Sequence, residues 1–351
     1  MNIKTIRSYA KSVPLKRPYT IARETISVAE IIFFEVELSN GVIGKGAANP
    51  DPEVIGETPE QTLYNLGSEK VYLGLKGKDI REFLSHIAFF RQIYPDFPAT
   101  LAAIDIALHD AFGKWIGLPV VDFYGRHHNS MPTSITIGIK NVAETLYEAK
   151  EYKDQGFRIL KIKTGVNAQE DAERVIRLYE TFGDYFTVRV DANEGYSAED
   201  LRFFLDQTAS VPLELTEQPF HPRMDKMLLQ FPAGIRRKLA ADESLKDART
   251  ALRLANEALF GIFNIKLMKC GGITAAFEIA NIARQADIEL FWGCNDESSL
   301  SISAALHAAF ACRNTRYLDL DGSFDLMEDE QESGFVVKNG YLRIKSNPGI
   351  S

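Results

Sequence analysis

The apolar residues along the chain change rhythm once, near residue 130. Ahead of that point, residues 31–38 (IIFFEVEL) form a β-rich run that stops at Ser39-Asn40-Gly41, a turn signal, and residues 42–46 are the predicted hairpin partner. Helical patterns follow at 59–66, 80–93 and 100–115. The last of these is apolar or small on most faces, which predicts a buried helix. Residues 1–125 are thus expected to form an α+β unit. Beyond it, apolar runs of strand length recur at 133–137, 158–163, 186–191, 213–217, 239–242, 262–266, 288–293 and 316–319. Helical patterns fill most gaps, at 168–181, 198–207, 273–285 and 300–312. Strand–helix alternation implies a parallel sheet. Eight strands with intervening helices predict a (β/α)8-type barrel over residues 126–320, of the (β/α)7β kind and short for its class. An open doubly wound sheet is the alternative. Residues 321–351 hold one more strand-like piece, 341–345, expected to pack back on the first unit.

Several predicted strands end on a charged residue before loop-like sequence. Lys163 closes RILKIK, Asp191 closes FTVRVD, Glu217 closes LELTE, Asp242 closes KLAAD and Lys266 closes FNIK. Neighbours in this series are about 24 to 28 residues apart, one strand–helix unit each. In a barrel all five reach the C-terminal rim, where active sites of this fold lie. Three convergent carboxylates repel one another unless a cation joins them. Oxygen ligands without a His or Cys cluster favour Mg²⁺, with Mn²⁺ as a substitute. Lys163 and Lys266 end the second and sixth strands, opposite each other across the barrel, with the acids between. Two amines so placed can address both faces of one carbon, one removing a proton and the other returning one. A carbon acid beside a carboxylate is weak, so the developing charge needs the metal, and the base needs a lysine of lowered pKa. Lys161, two residues before Lys163, faces the same interior and can add positive charge or hold a substrate carboxylate.

Composition narrows the setting. The 351 residues are 45% hydrophobic and 25% charged, ordinary for a globular protein. A net charge of −8 with no basic run argues against nucleic acid. Three widely spaced cysteines argue against a disulfide framework. No apolar stretch is long enough for a membrane span, and the first residues lack a signal-peptide core, so a cytoplasmic protein is expected. A homo-oligomer stays open.

KIK (161–163), DAN (191–193), EQP (217–219), ADES (241–244) and KLMKCGGI (266–273) resemble the muconate-lactonizing subgroup of the enolase superfamily, over nearly the whole chain. Within it the sequence is most similar to dipeptide epimerases. That resemblance implies a Mg²⁺ enzyme inverting the α-carbon of a dipeptide's C-terminal residue, with Lys163 and Lys266 as acid and base. It also implies that Asp319 and Asp321, from YLDLDG, bind the substrate ammonium group. Thr136, Asp296 and Glu297 match positions lining the substrate pocket. Epimerases acting on Ala-Glu carry an arginine in the loop YTIARETIS; the aligned position here is Glu24, with Arg23 beside it. The expected second residue is therefore neutral, as in Ala-Ala, with a cationic side chain next and Ala-Glu retained through Arg23. Syn-elimination by an o-succinylbenzoate synthase, or cycloisomerisation, is the rival chemistry, and a barrel that only binds ligand is the non-enzymatic one. Asp319 and Asp321 argue against the first two, since their substrates carry no ammonium group. His109 and His307, within apolar helical patterns, are expected to be satisfied core residues.

Overall fold

The computed structural model of the chain describes residues 1–20, 25–327 and 333–351. Arg23, Glu24 and the acidic run 328–332 lie outside them. The first unit opens with an antiparallel sheet of β1 (Ile3–Thr20), β2 (Thr25–Leu38) and β3 (Ile43–Ala48), in that order. β2 and β3 are the predicted hairpin. β1 carries no signal of its own, because only Ile3, Val13 and Leu15 of its residues are buried and lysine, arginine, proline, serine and threonine make up most of the rest. Helices Pro59–Leu66, Phe83–Ile93 and Pro98–Ile116 follow, the last buried along almost its whole length.

After β4 (Met131–Pro132) come eight parallel strands. They are β5 (Ile135–Ile137), β6 (Ile159–Lys163), β7 (Thr187–Asp191), β8 (Leu213–Glu217), β9 (Leu239–Ala241), β10 (Ile262–Ile265), β11 (Glu289–Trp292) and β12 (Thr315–Leu318). Each pairs with its neighbour in sequence. A parallel bridge between Thr133 and Leu318, and a 3.0 Å bond from the Ser134 N–H to the Leu318 carbonyl, join the last strand to the first. Arg189 plugs this seam from inside. It is 1% exposed, donates to the Leu318 carbonyl at 2.7 Å and to Glu214 Oε2 at 2.6 Å, and lies over the Phe291 and Tyr317 rings. Helices return the chain after most strands. The return after β8 is instead a 3₁₀ run, Pro222–Gln230, and the one-turn helix Ala233–Arg236. Among the described residues no helix lies between β12 and β13 (Phe335–Lys338), which with β14 (Tyr341–Ile344) forms a hairpin that extends β4. Among the described residues no helix is long and apolar enough to cross a membrane.

Side chains of the first unit grip the barrel at fixed points. The carboxylate of Asp105 accepts from the Ile273 and Thr274 N–H groups, at 2.7 and 3.1 Å, and so satisfies the start of barrel helix Ile273–Gln285. The approach is tight: Gly272 has φ +104°, and a Cβ there would lie 2.5 Å from that of Asp105. Arg91 meets Glu278 on the same helix through two bonds of 2.6 and 2.8 Å. Asp110 accepts from Lys45 N and Ile350 N, each at 2.8 Å, tying the C-terminal residues to this unit. His109 and His307 are buried and bonded, His307 Nδ1 accepting from Val121 N at 3.0 Å. Asp105→Ala leaves two buried N–H groups without an acceptor and is expected to cost about 1–3 kcal/mol. Thermal unfolding checks this: an unchanged midpoint would show that the clamp contributes nothing.

Candidate active site

Strand register alone gathers the charged strand ends. Lys163 lies opposite Asp191, and Asp191 opposite Glu217, across β6, β7 and β8. Side chains alternate along a strand, so Lys161 and Lys163, Arg189 and Asp191, and Leu215 and Glu217 all point into the barrel. Asp242 and Lys266 follow β9 and β10 directly and complete the row. All five predicted side chains and Lys161 are buried there, with exposures of 9% or less.

The acids and amines interlock. Lys161 Nζ lies 3.0 Å from Asp191 Oδ2, 2.9 Å from Glu217 Oε2 and 2.8 Å from Asp319 Oδ2. Lys163 Nζ donates to Asp191 Oδ2 at 2.8 Å and to Asn193 Oδ1 at 3.0 Å. Lys266 Nζ is 2.9 Å from Asp242 Oδ2, and the buried Lys269 amine holds the other Asp242 oxygen. Burial raises the pKa of every carboxyl here, but Lys161 and Lys163 outweigh it at Asp191, and Lys266 and Lys269 outweigh it at Asp242. Glu217 goes the other way: burial and neighbouring Asp191 push it up to about 8. Lys266 is raised, since Asp242 more than offsets the effect of burial. The lowered pKa expected of a lysine base is therefore not present at Lys266 while Asp242 keeps its full charge.

The other predicted residues border the same space. Asp319 accepts from Ser134 Oγ at 2.6 Å as well as from Lys161, which holds its pKa down against burial. Asp321 Oδ2 accepts from Thr136 N at 2.8 Å, and burial with nearby Asp319 pushes it up to about 7. Asp296, raised to about 6 by burial, takes a 2.9 Å hydrogen bond from the Tyr19 hydroxyl of β1. Glu297 is turned away from this space to accept from Asn295 N at 3.0 Å. Sequence reasoning passed over four residues: Asn193, which bridges Lys163 and Glu243; Asn264, whose amide donates to Glu217 Oε1 at 2.6 Å; Lys269; and Tyr19. Asn193 and Lys269 lie inside motifs already singled out, two residues after Asp191 and three after Lys266 respectively. Asn264 faces the interior two residues before Lys266, a signal that strand alternation could have supplied. Tyr19 opens the loop YTIARETIS, where the sequence points to Arg23 and Glu24 alone because β1 itself carries no pattern.

Two adjoining cavities open on this array. One of about 70 Å³ is bordered by Thr136, Lys161, Asp319 and Asp321. The other, about 290 Å³, reaches to Glu30, Asp51 and Glu53 of the first unit. Tyr19, Lys163, Lys266 and Asp296 border both. Among the described residues, the acids as placed form no ready three-ligand metal cage, because each is turned onto a lysine. The donor set nonetheless fits a hard divalent cation. Asp191, Glu217 and Asp242 are all-oxygen, buried, on consecutive strand ends, and Glu217 is already held in place by Asn264.

The raised carboxyls carry a pH signature. Glu217 (about 8), Glu243, Glu297 and Asp321 (each about 7) hold protons in the folded state that the unfolded chain has released. Stability then falls as pH rises through that interval. The metal-free protein is expected to lose thermal stability between about pH 5 and about pH 8, and Mg²⁺ to raise it more at the upper end. A metal-free profile that is flat or rises over this range would contradict the assignment.

Comparison with known proteins agrees with this geometry. Residues 3–125 match the mandelate racemase / muconate lactonizing enzyme N-terminal domain, and residues 144–351 the enolase C-terminal domain-like family. An L-Lys-D/L-Arg epimerase of Desulforapulum autotrophicum is 51% identical over 100% of this chain and 99% of its own. Another, from Methylococcus capsulatus, is 46% identical over 100% and 98%. A crystal structure of the Methylococcus capsulatus dipeptide epimerase, complexed with Mg and L-Arg-D-Lys, superposes with a TM-score of 0.97 at 45% identity, covering 100% of this chain and 99% of that one. With both family models matched in order along one capped barrel, the chain belongs to the enolase superfamily, among its dipeptide epimerases.

Proposed function

We propose that this enzyme epimerises dipeptides with cationic side chains, of the Lys/Arg class, at the α-carbon of the C-terminal residue. The observation that carries the substrate class is the ring of carboxylates on the larger cavity: Glu30, Asp51 and Glu53 from the first unit, with Glu243 and Asp296 from the barrel. A lysine or arginine side chain gains charge-assisted hydrogen bonds there. The relatives named as L-Lys-D/L-Arg epimerases support the same choice. The neutral second residue expected from the sequence is thus set second, behind the cationic one.

Lys163 and Lys266, on opposite sides of the barrel mouth, serve as the two acid/base groups. The amine on one face takes the α-proton as the C–H electron pair moves toward the adjoining carboxylate; the ammonium on the other face delivers a proton to the same carbon, inverting it. Asn193 and Asp191 orient Lys163, and Lys161 supplies fixed positive charge among the acids. Asp319 and Asp321 hold the substrate ammonium group in the smaller cavity. Asp191, Glu217 and Asp242 would hold the Mg²⁺ cofactor, whose positive charge would offset that of Asp242 beside Lys266 and supply stabilisation for the charge growing on the substrate carboxylate.

In D₂O with Mg²⁺ and L-Lys-L-Arg, deuterium is expected at the α-carbon of the second residue, and EDTA should stop its uptake. Uptake that persists in a Lys163→Ala, Lys266→Ala double variant would remove both lysines from the mechanism. Glu53→Gln is expected to raise KM for Lys-Arg about 2- to 5-fold, in line with the loss of one exposed charge pair, while Ala-Ala is untouched. Equal effects on both substrates would argue against an acidic side-chain pocket.

A further inference from the structure

The helix behind Lys163 carries charges that the chemistry above does not use. Asp171 and Arg174 lie one turn apart on helix Ala168–Phe182, and both are 2% exposed. Arg174 Nη2 donates to the main-chain carbonyl of Lys163 at 2.9 Å and pairs at 2.5 Å with Asp171 Oδ1. Asp171 Oδ2 accepts the Gly165 N–H and the Tyr196 hydroxyl, each at 2.9 Å. The pair therefore grips the backbone on both sides of the Lys163–Thr164 step, at the carbonyl of residue 163 and the amide of residue 165. It also pins the loop after β7 through Tyr196. The two loops meet backbone to backbone: a Cβ on Gly165 would lie 2.1 Å from the Ala192 carbonyl oxygen, and Gly165 has φ +105°, so only glycine fits.

A buried ion pair is weak evidence for stability, because desolvating both charges offsets most of their attraction. What this pair does is fix the end of β6, and with it the line along which the Lys163 side chain leaves the backbone. Among the described residues, no side chain bonds the main-chain carbonyl of Lys266. That carbonyl accepts from Lys269 N and Cys270 N in the first turn of helix Leu267–Cys270, while Lys269 Nζ donates to the Asn264 carbonyl two residues earlier at 3.2 Å. The surroundings of Lys266 are further referred to the first unit through Asp105 and the helix starting at Ile273.

We infer that Arg174 and Asp171 are positioning residues for one face of the reaction only: they set the reach of Lys163, and their loss slows proton transfer on the Lys163 side while the Lys266 side is spared. This rests on the two-lysine assignment proposed above. Displacing a reacting group by about 1 Å can cost about 100-fold in rate, so the two faces should separate widely.

The test measures α-deuterium uptake in D₂O from each of the two epimers of one dipeptide separately, with Mg²⁺ present. Lys163→Ala serves as the reference and is expected to abolish uptake from one epimer and spare the other. Arg174→Met should slow uptake from that same epimer about 10- to 100-fold more than from its partner. Arg174→Lys, which keeps a donor near the Lys163 carbonyl, should restore part of the difference. If Arg174→Met does not fold, Tyr196→Phe, which removes one bond to Asp171, is expected to show the same asymmetry in smaller measure. Equal slowing of both epimers in the Arg174 and Tyr196 variants, with Lys163→Ala still asymmetric, overturns the inference alone. A symmetric Lys163→Ala overturns the two-lysine assignment and the inference with it.

Discussion

Four lysine amines lie among four carboxylates at the mouth of one barrel, almost fully removed from water: Lys161, Lys163, Lys266 and Lys269 against Asp191, Glu217, Asp242 and Asp319. Neither set could be buried alone, since an isolated buried charge is neutralised, a carboxylate by taking up a proton and an ammonium by losing one. The barrel makes the arrangement possible by fixing register. Asp191 and Glu217 are adjacent in one row of strand ends and repel each other, but Lys163 beside Asp191, and Lys161 two residues earlier on the same face, bring an amine to both acids. The rest of the architecture holds that row in place. Arg189 shuts the seam beneath it, the first unit covers it, and the helices behind it carry the second layer of bonds.

Much of this was legible in the sequence because it follows from spacing. Strand ends about one strand–helix unit apart must converge on a barrel rim, and the apolar runs that mark strands coincide with β5 to β12 to within one or two residues. The irregular return after β8 carries no periodic pattern, and β1 shows why pattern fails elsewhere: an edge strand with few buried residues has no alternation to detect. The site divides in the same way. Residues that close strands were found directly; Asn264, on β10, follows from the same alternation, whereas Asn193, Lys269 and Tyr19 act through contacts set by the loops after the strands and by β1. Substrate class was the least legible part. The proposed class rests on Glu30, Asp51 and Glu53, which border the cavity from a different unit than the lysines and acids of the strand ends.

The separation between chemistry and selectivity follows from this division. The lysines proposed to move the proton sit on strand ends whose geometry the barrel dictates. The acids proposed to receive a cationic side chain come largely from the first unit, two of them at the short helix Pro52–Ile55, where Asp51 also serves as the N-cap. On that proposal, substitutions there change what the enzyme accepts without touching the lysines or the acids proposed to hold the metal.

The grip of Asp105 on the start of helix Ile273–Gln285 gives that separation a limit. That helix begins seven residues after Lys266, so the first unit and one of the two amines proposed to carry the proton share a frame of reference, while the opposite amine is surveyed from within the barrel. A first unit that tilted would carry its side-chain wall along with Lys266 and leave Lys163 behind. On the two-lysine proposal, recognition and stereochemistry are thereby geared together: an insertion that loosened the first unit would be felt first as unequal proton exchange from the two epimers, before it was felt as a loss of affinity.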